Sequence, residues 1–130
     1  MSPTVLAIDA HNDSRIVYSI ALRQQGVRVL EARNGKEALS TLASCLPHVI
    51  VMELTLPDLD GCSLIRTLKT DRTTARIPIV VVTSDIRLRR RKEAEAAGCD
   101  VFLLKPSPIR VLTRVVCGLI DPNSPVGSAL

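Results

Sequence analysis

The chain has 130 residues, 46% of them hydrophobic and 23% charged, with a net charge of +4. That is one domain's worth of length with a single buried core, which excludes a multidomain enzyme, and with only Tyr18 and Phe102 as aromatics there is no base-stacking platform for single-stranded nucleic acid. Apolar runs such as Val49 to Met52 fall far short of the roughly 20 residues that span a membrane, and Met1-Ser2-Pro3-Thr4 has no basic n-region, so a cytoplasmic protein is expected, with no signal or membrane segment.

Short β-rich runs alternate with segments of helical period five times over, the signature of βαβ units. Val5 to Asp9 reads as a first strand. About Asp13 to Gln25 reads as a helix ended by Gly26, with Ile16, Val17, Ile20 and Ala21 as its apolar face and Asp13 as its capping residue. Val27 to Ala32 forms a second strand. Asn34-Gly35 then turns the chain into a helix near Lys36 to Ser44, with Ala38, Leu39 and Leu42 inward, and Pro47 closes it ahead of a third strand, Val49 to Glu53. The loop Leu54 to Gly61 carries Pro57, Asp58 and Asp60. It leads into a helix ending near Lys69 with Leu64, Ile65 and Leu68 toward the sheet, followed by a polar connection, Thr70 to Arg76.

Ile77 to Thr83 is the fourth strand, and its run Ile79-Val80-Val81-Val82 predicts burial on both faces, as in the middle of a parallel sheet. A weakly amphipathic helix from about Ile86 to Ala97 stops at Gly98, and a fifth strand, Asp100 to Leu104, ends in Lys105-Pro106. The last helix spans roughly Pro108 to Ile120, with Leu112, Val115, Val116 and Leu119 as its stripe. Right-handed crossovers between five parallel strands give a single doubly wound α/β domain with helices on both faces.

In such a sheet, ligands bind outside the carboxyl ends of the strands. Those ends carry Asp9, Glu53, Thr83-Ser84 and Lys105, so two carboxylates, a hydroxyl and an ammonium converge on one crevice. Such a group serves to bind a divalent cation through oxygens and to neutralise an anion, the needs of phosphoryl transfer. The plainer alternative is an ion-paired rim. Cys45, Cys62, Cys99 and Cys117 are far apart, lack a C-x-x-C pair and match no zinc-ligand spacing with His11 and His48, so they read as reduced thiols.

Taken in order, Val5-Leu6-Ala7-Ile8-Asp9, the run from Glu53 through Pro57-Asp58-Leu59-Asp60-Gly61, Val82-Thr83-Ser84, and Ala97-Gly98-Cys99-Asp100 ahead of Phe102 and Lys105-Pro106 resemble the receiver domain of two-component response regulators. The resemblance covers residues 4 to 120. It implies a flavodoxin-like (βα)5 fold with strand order 2-1-3-4-5. It also implies a phosphoacceptor aspartate at the end of strand three, and a magnesium ion held by that aspartate, by an acidic pair and by a backbone carbonyl that falls on Thr55. Thr83 and Lys105 take the phosphoryl-contact positions, and Thr83 and Phe102 the switch positions.

Two positions depart from that pattern. The phosphoacceptor position holds Glu53, whose extra methylene moves the carboxylate by on the order of 1.5 Å into the space of a phosphoryl group. The acidic pair is reduced to Asp9 by Ala10, which weakens a magnesium site whose remaining donors are Asp9, Glu53 and the Thr55 carbonyl. For Phe102 the alternative is plain core packing, and for Lys105 an ion pair with Glu53 or Asp9.

Arg87, Arg89, Arg90, Arg91 and Lys92 put five cations at the start of the fourth helix, on what the resemblance makes the output surface. The run reads either as an electropositive interaction patch or as a solvated face with Glu93 and Glu95 paired to Arg89 and Arg91. The expectation is thus a receiver-like domain over 1–120 with a tail or linker stub over 121–130, acting by protein–protein interaction independently of phosphorylation. It is not an enzyme, beyond residual autophosphorylation from a phosphodonor, and it needs no cofactor. The partners expected are a histidine kinase, a phosphotransfer protein or an output protein, with a homodimer through the fourth helix, fifth strand and fifth helix, and no sequence-specific DNA contact by this chain. The competing readings are a magnesium-dependent phosphoryl acceptor using Glu53 and a small nucleotide or flavin binder on the same fold, the latter without a glycine-rich phosphate cradle in Ala10-His11-Asn12-Asp13-Ser14.

Overall fold

In the computed structural model, which describes residues 2–123, strands and helices alternate as β1 (Thr4–Ile8), α1 (Asn12–Gln24), β2 (Arg28–Ala32), α2 (Gly35–Ser44), β3 (Val49–Met52), α3 (Gly61–Thr70), β4 (Ile79–Thr83), α4 (Leu88–Ala97), β5 (Val101–Leu104) and α5 (Ile109–Ile120). The five strands are parallel in the order β2-β1-β3-β4-β5. This is the doubly wound, flavodoxin-like arrangement anticipated above. Of the predicted tail, residues 124–130 lie outside the described residues.

The period-2 alternation of the strands builds two cores. Leu6, Ile8, Ile50, Met52, Ile79 and Val81 point to one face and meet Ala38 and Leu42 of α2, Leu64, Ile65 and Leu68 of α3, and Ala94 and Ala97 of α4. Val5, Ala7, Val49, Val51, Val80 and Val82 point to the other and meet Tyr18 and Leu22 of α1 and Leu112 and Val116 of α5. The central strands β1, β3 and β4 are buried along their whole length, because helices cover both sides of them.

Local chemistry sets the helix ends. Asn34 caps α2 by accepting the Glu37 amide at 2.8 Å, and Asp60 caps α3 by accepting the Ser63 amide at 3.2 Å. Gly98 closes α4 at φ 115°, a left-handed position that a side chain disfavours. Gly61 donates to Leu54 O at 2.8 Å, so close that a Cβ there would lie 2.5 Å from the Leu54 backbone.

The structure corrects three expectations about side-chain orientation. Ile16, Val17 and Ile20 do not face the sheet: α1 buries Arg15, Tyr18, Ser19 and Leu22 instead. That stripe also has helical spacing, and it carries Arg15, which donates to Asp9 O at 2.7 Å, Asn12 Oδ1 at 2.7 Å and Glu31 Oε1 at 2.9 Å. Three hydrogen bonds to a buried guanidinium and the area of Tyr18 and Leu22 outweigh burial of the branched residues. Asp13 is not the cap of α1, since the helix opens one residue earlier behind His11 and has no side-chain cap. Leu39 faces outward, because Ala38 and Leu42 already fill the α2 contact with the sheet.

Candidate functional site

Asp9 and Glu53 follow β1 and β3 directly, and the ladder holds them level: Asp9 N donates to Ala32 O and Glu53 N to Ile8 O, each at 3.0 Å. Lys105 follows β5 and donates its backbone N–H to Thr83 O at 2.7 Å, ahead of a cis peptide bond to Pro106. The four strand-end residues singled out from the sequence therefore meet at one corner of the sheet.

Both carboxylates there are buried, and one ammonium serves both. Lys105 Nζ lies 2.8 Å from Asp9 Oδ2 and 3.3 Å from Glu53 Oε1. Asp9 Oδ2 also accepts from the Tyr18 hydroxyl at 3.2 Å, and Oδ1 accepts the His11 amide at 2.9 Å. Glu53 turns its other oxygen back onto its own loop: Oε2 accepts from Leu54 N at 2.6 Å and from Thr55 N at 3.4 Å. Arg15, bonded to the Asp9 carbonyl, brings a second positive charge beside the corner.

Tyr18 was not picked out from the sequence, nor was Arg15. Burial, and then the Asp9 carboxylate beside it, hold the Tyr18 phenol far above its ordinary value, so it stays a hydrogen-bond donor to Asp9. The signal available in the sequence was an Arg and a Tyr three residues apart on the helix that follows an acidic strand end, whose outward placement leaves neither with a partner.

The Thr83 side chain is buried, and its Oγ1 accepts the Asp85 amide at 3.1 Å, turned toward the β4–α4 loop. Phe102 is half-buried against the α2–α3–α4 core, with the Arg91 guanidinium 5.3 Å from its ring centroid.

Magnesium takes near-octahedral oxygen ligands and several waters. Here two carboxylates already share an ammonium, Ala10 adds no donor, and among the described residues no three His, Cys, Asp or Glu side chains are grouped so as to hold a metal ion. This donor set does not fit the ion.

The basic run is laced with acids. Arg87 grips Asp85 with contacts of 2.9 and 2.6 Å, Arg89 meets Glu93 at 3.0 Å, and Arg91 meets Glu95 at 3.6 Å. Arg87's hydrogen bonds hold the Asp85 carboxyl well below the usual carboxylate range. Arg90 is only partly exposed: its side chain keeps 12% of its surface and sits 2.6 Å from Asp60, 2.9 Å from Glu93 and 3.8 Å from Asp85. Lys92 alone of the five has no salt bridge among the described residues. Of the two readings of this run, the pairing of Arg89 with Glu93 and of Arg91 with Glu95 is present, while Arg87, Arg89 and Arg91 keep half or more of their side-chain surface exposed.

Residues 5–116 match the family model of the response regulator receiver domain. The chain is 30% identical over 113 residues to the phosphate regulon transcriptional regulatory protein PhoB of Pseudomonas aeruginosa, covering 86% of this chain and 49% of PhoB. It is 31% identical over 107 residues to Histidine kinase P4 of Formosa agariphila, covering 82% of this chain and 8% of that protein. The chain thus spans half or less of the length of these relatives. Among solved structures, the receiver domain of the Francisella response regulator 1452 superposes with a TM-score of 0.84 at 26% identity, covering 95% of this chain and all of that one.

Proposed function

This chain belongs to the response regulator receiver domain family, and we propose that it signals by binding other proteins without accepting a phosphoryl group. The observation that carries this reading is the Lys105 ammonium within 2.8 Å of Asp9 and 3.3 Å of Glu53. Phosphoryl transfer needs a free carboxylate oxygen in line with the donor, a cation over the equatorial oxygens, and a lysine available to the transferred group. Here the lysine is committed to two buried carboxylates, one Glu53 oxygen is committed to backbone amides, and the third acid of a magnesium site is replaced by Ala10.

On this reading the corner is a structural keystone, the chain is not an enzyme and needs no metal, and it works in the cytoplasm. Its partners are a histidine kinase, a phosphotransfer protein or an output protein, recognised through its surface helices. The receiver unit itself makes no sequence-specific DNA contact on this reading.

The test is intact mass after incubation with magnesium and acetyl phosphate, on the wild type, Glu53→Asp, and Glu53→Asp with Ala10→Asp. The expected result is no adduct on the wild type and one phosphoryl group on the double variant. A single phosphoryl group on the wild type, lost in Glu53→Gln, overturns the reading and makes Glu53 an acceptor.

A further inference from the structure

Helix α1 turns an apolar strip outward. Ile16, Val17 and Ile20 are 46%, 56% and 50% exposed, three branched side chains on one face of one helix. Next to Val17 the strip continues into a cavity of about 340 Å³ between α1 and the start of α5, lined in part by Val17, Ile109 and Leu112. A contiguous apolar patch of this kind on a small domain marks a contact surface.

We propose that this face pairs with the same face of a second copy of the chain, α1 antiparallel to α1, about a two-fold axis at the level of residue 18. An isologous interface must be self-complementary, and this helix is. Pairing each residue i with 36 − i sets Ile16 level with the partner's Ile20 and Ile20 level with the partner's Ile16, with Val17 beside the axis. The same register sets Asp13 level with the partner's Arg23. Asp13 is exposed and enters no ion pair among the described residues, while Arg23 is 48% exposed and uses only Nη2, toward Val29 O and Glu31. Antiparallel packing also opposes the two helix dipoles favourably.

The α4–β5–α5 face suits a two-fold contact less well. Ile86 and Leu88 are exposed there at 81% and 63%, but the exposed cations Arg87, Arg89, Arg91 and Lys92 adjoin them in sequence, so the apolar groups of α4 form no unbroken strip. The proposal thus relocates the expected homodimer from α4, β5 and α5 to α1, and it stands apart from the question of phosphorylation.

Sedimentation equilibrium of the full chain, from micromolar to submillimolar concentration, tests it. The expected result is a species of twice the 14.1 kDa chain mass. Ile20→Glu should weaken the dimer by about 30-fold or more, the size of a central hot-spot loss, with an unchanged circular dichroism spectrum. Asp13→Lys should weaken it measurably, and Leu88→Glu on α4 should leave it intact. A wild type that stays monomeric throughout, a dimer that survives Ile20→Glu, or one that Leu88→Glu dissolves overturns the proposal.

Discussion

Arg90 Nη2 lies 2.6 Å from Asp60 Oδ1, joining the first turn of α4 to the residue that caps α3. Glu93 and Asp85 complete the ring of acids around the same guanidinium, so one side chain holds together α4, the β3–α3 loop and the β4–α4 loop. Arg90→Gln leaves Asp60 without its cation, while Asp85 keeps Arg87 and Glu93 keeps Arg89. The expected loss is about 1–2 kcal/mol in urea unfolding, with faster amide exchange across residues 84–90 than across β1 or β3.

The same pair sets an acid limb. Burial pushes the Asp60 carboxyl up, but the hydrogen bond and charge of Arg90 outweigh it, and the group sits below its ordinary value of 3.8. A depressed folded-state pKa contributes stability that is full above the unfolded value and lost as pH falls through the folded one. Unfolding free energy should therefore decline below about pH 4, and Arg90→Gln should flatten that decline. An identical acid slope in the variant would show that Asp60 is not part of it.

Lys105→Met strands Asp9, with no side-chain exposure, beside Glu53 at 3%. Removing one partner from a buried ion pair costs about 3–5 kcal/mol. Because Lys105 itself is 18% exposed, the expected loss is at the low end of that range, about 3 kcal/mol. Adding Glu53→Gln to Lys105→Met should recover part of it. Chemical denaturation of the two variants checks both statements.

Tyr18 is the sole tyrosine and there is no tryptophan, so absorbance at the tyrosinate band reports this one phenol. Its folded-state pKa is raised above the ordinary 10.0, and a neutral phenol favoured by the fold contributes stability that is full below that value and lost above it. The expected titration shows no tyrosinate until the protein unfolds in alkali, the two events coinciding in absorbance and circular dichroism. Tyr18→Phe should move the alkaline unfolding to higher pH.

Gly61→Ala tests the tightest turn in the corner. Its Cβ would meet the Leu54 Cα and carbonyl oxygen at 2.5 Å, and both are backbone atoms that cannot swing away. The expected cost is about 2 kcal/mol or more, read as a lowered Tm.

Most of the architecture is visible in the amino-acid order because buried parallel strands are continuous apolar runs with sharp ends, as in Val49 to Met52 and Ile79 to Val82. The strand-end rule likewise brings Asp9, Glu53, Thr83 and Lys105 to one corner. Two kinds of information are not visible that way. In α1 the stripes 16/17/20/21 and 15/18/19/22 both fit a helical period, and hydrophobicity favours the first, whereas the polar partners of Arg15 and Tyr18, known only in three dimensions, select the second. For the basic run, local spacing identifies the Arg89–Glu93 and Arg91–Glu95 pairs, but the inward turn of Arg90 depends on Asp60, thirty residues away.

The Lys105–Asp9 contact closes a separation of 96 residues, which has a consequence for the order of folding. β1 and β3 are neighbours at the middle of the sheet, and with them Asp9 and Glu53 stand side by side well before β5 has been synthesised. Until then the two carboxylates face each other with Arg15, the Tyr18 hydroxyl and backbone amides of their own loops beside them, but without the ammonium that joins them. Contacts of such long span form late, since the loop entropy must be met first. The ion pair that ties Asp9 to Lys105 is therefore expected among the last contacts of the fold to form, after the β1–β3 pairing is in place.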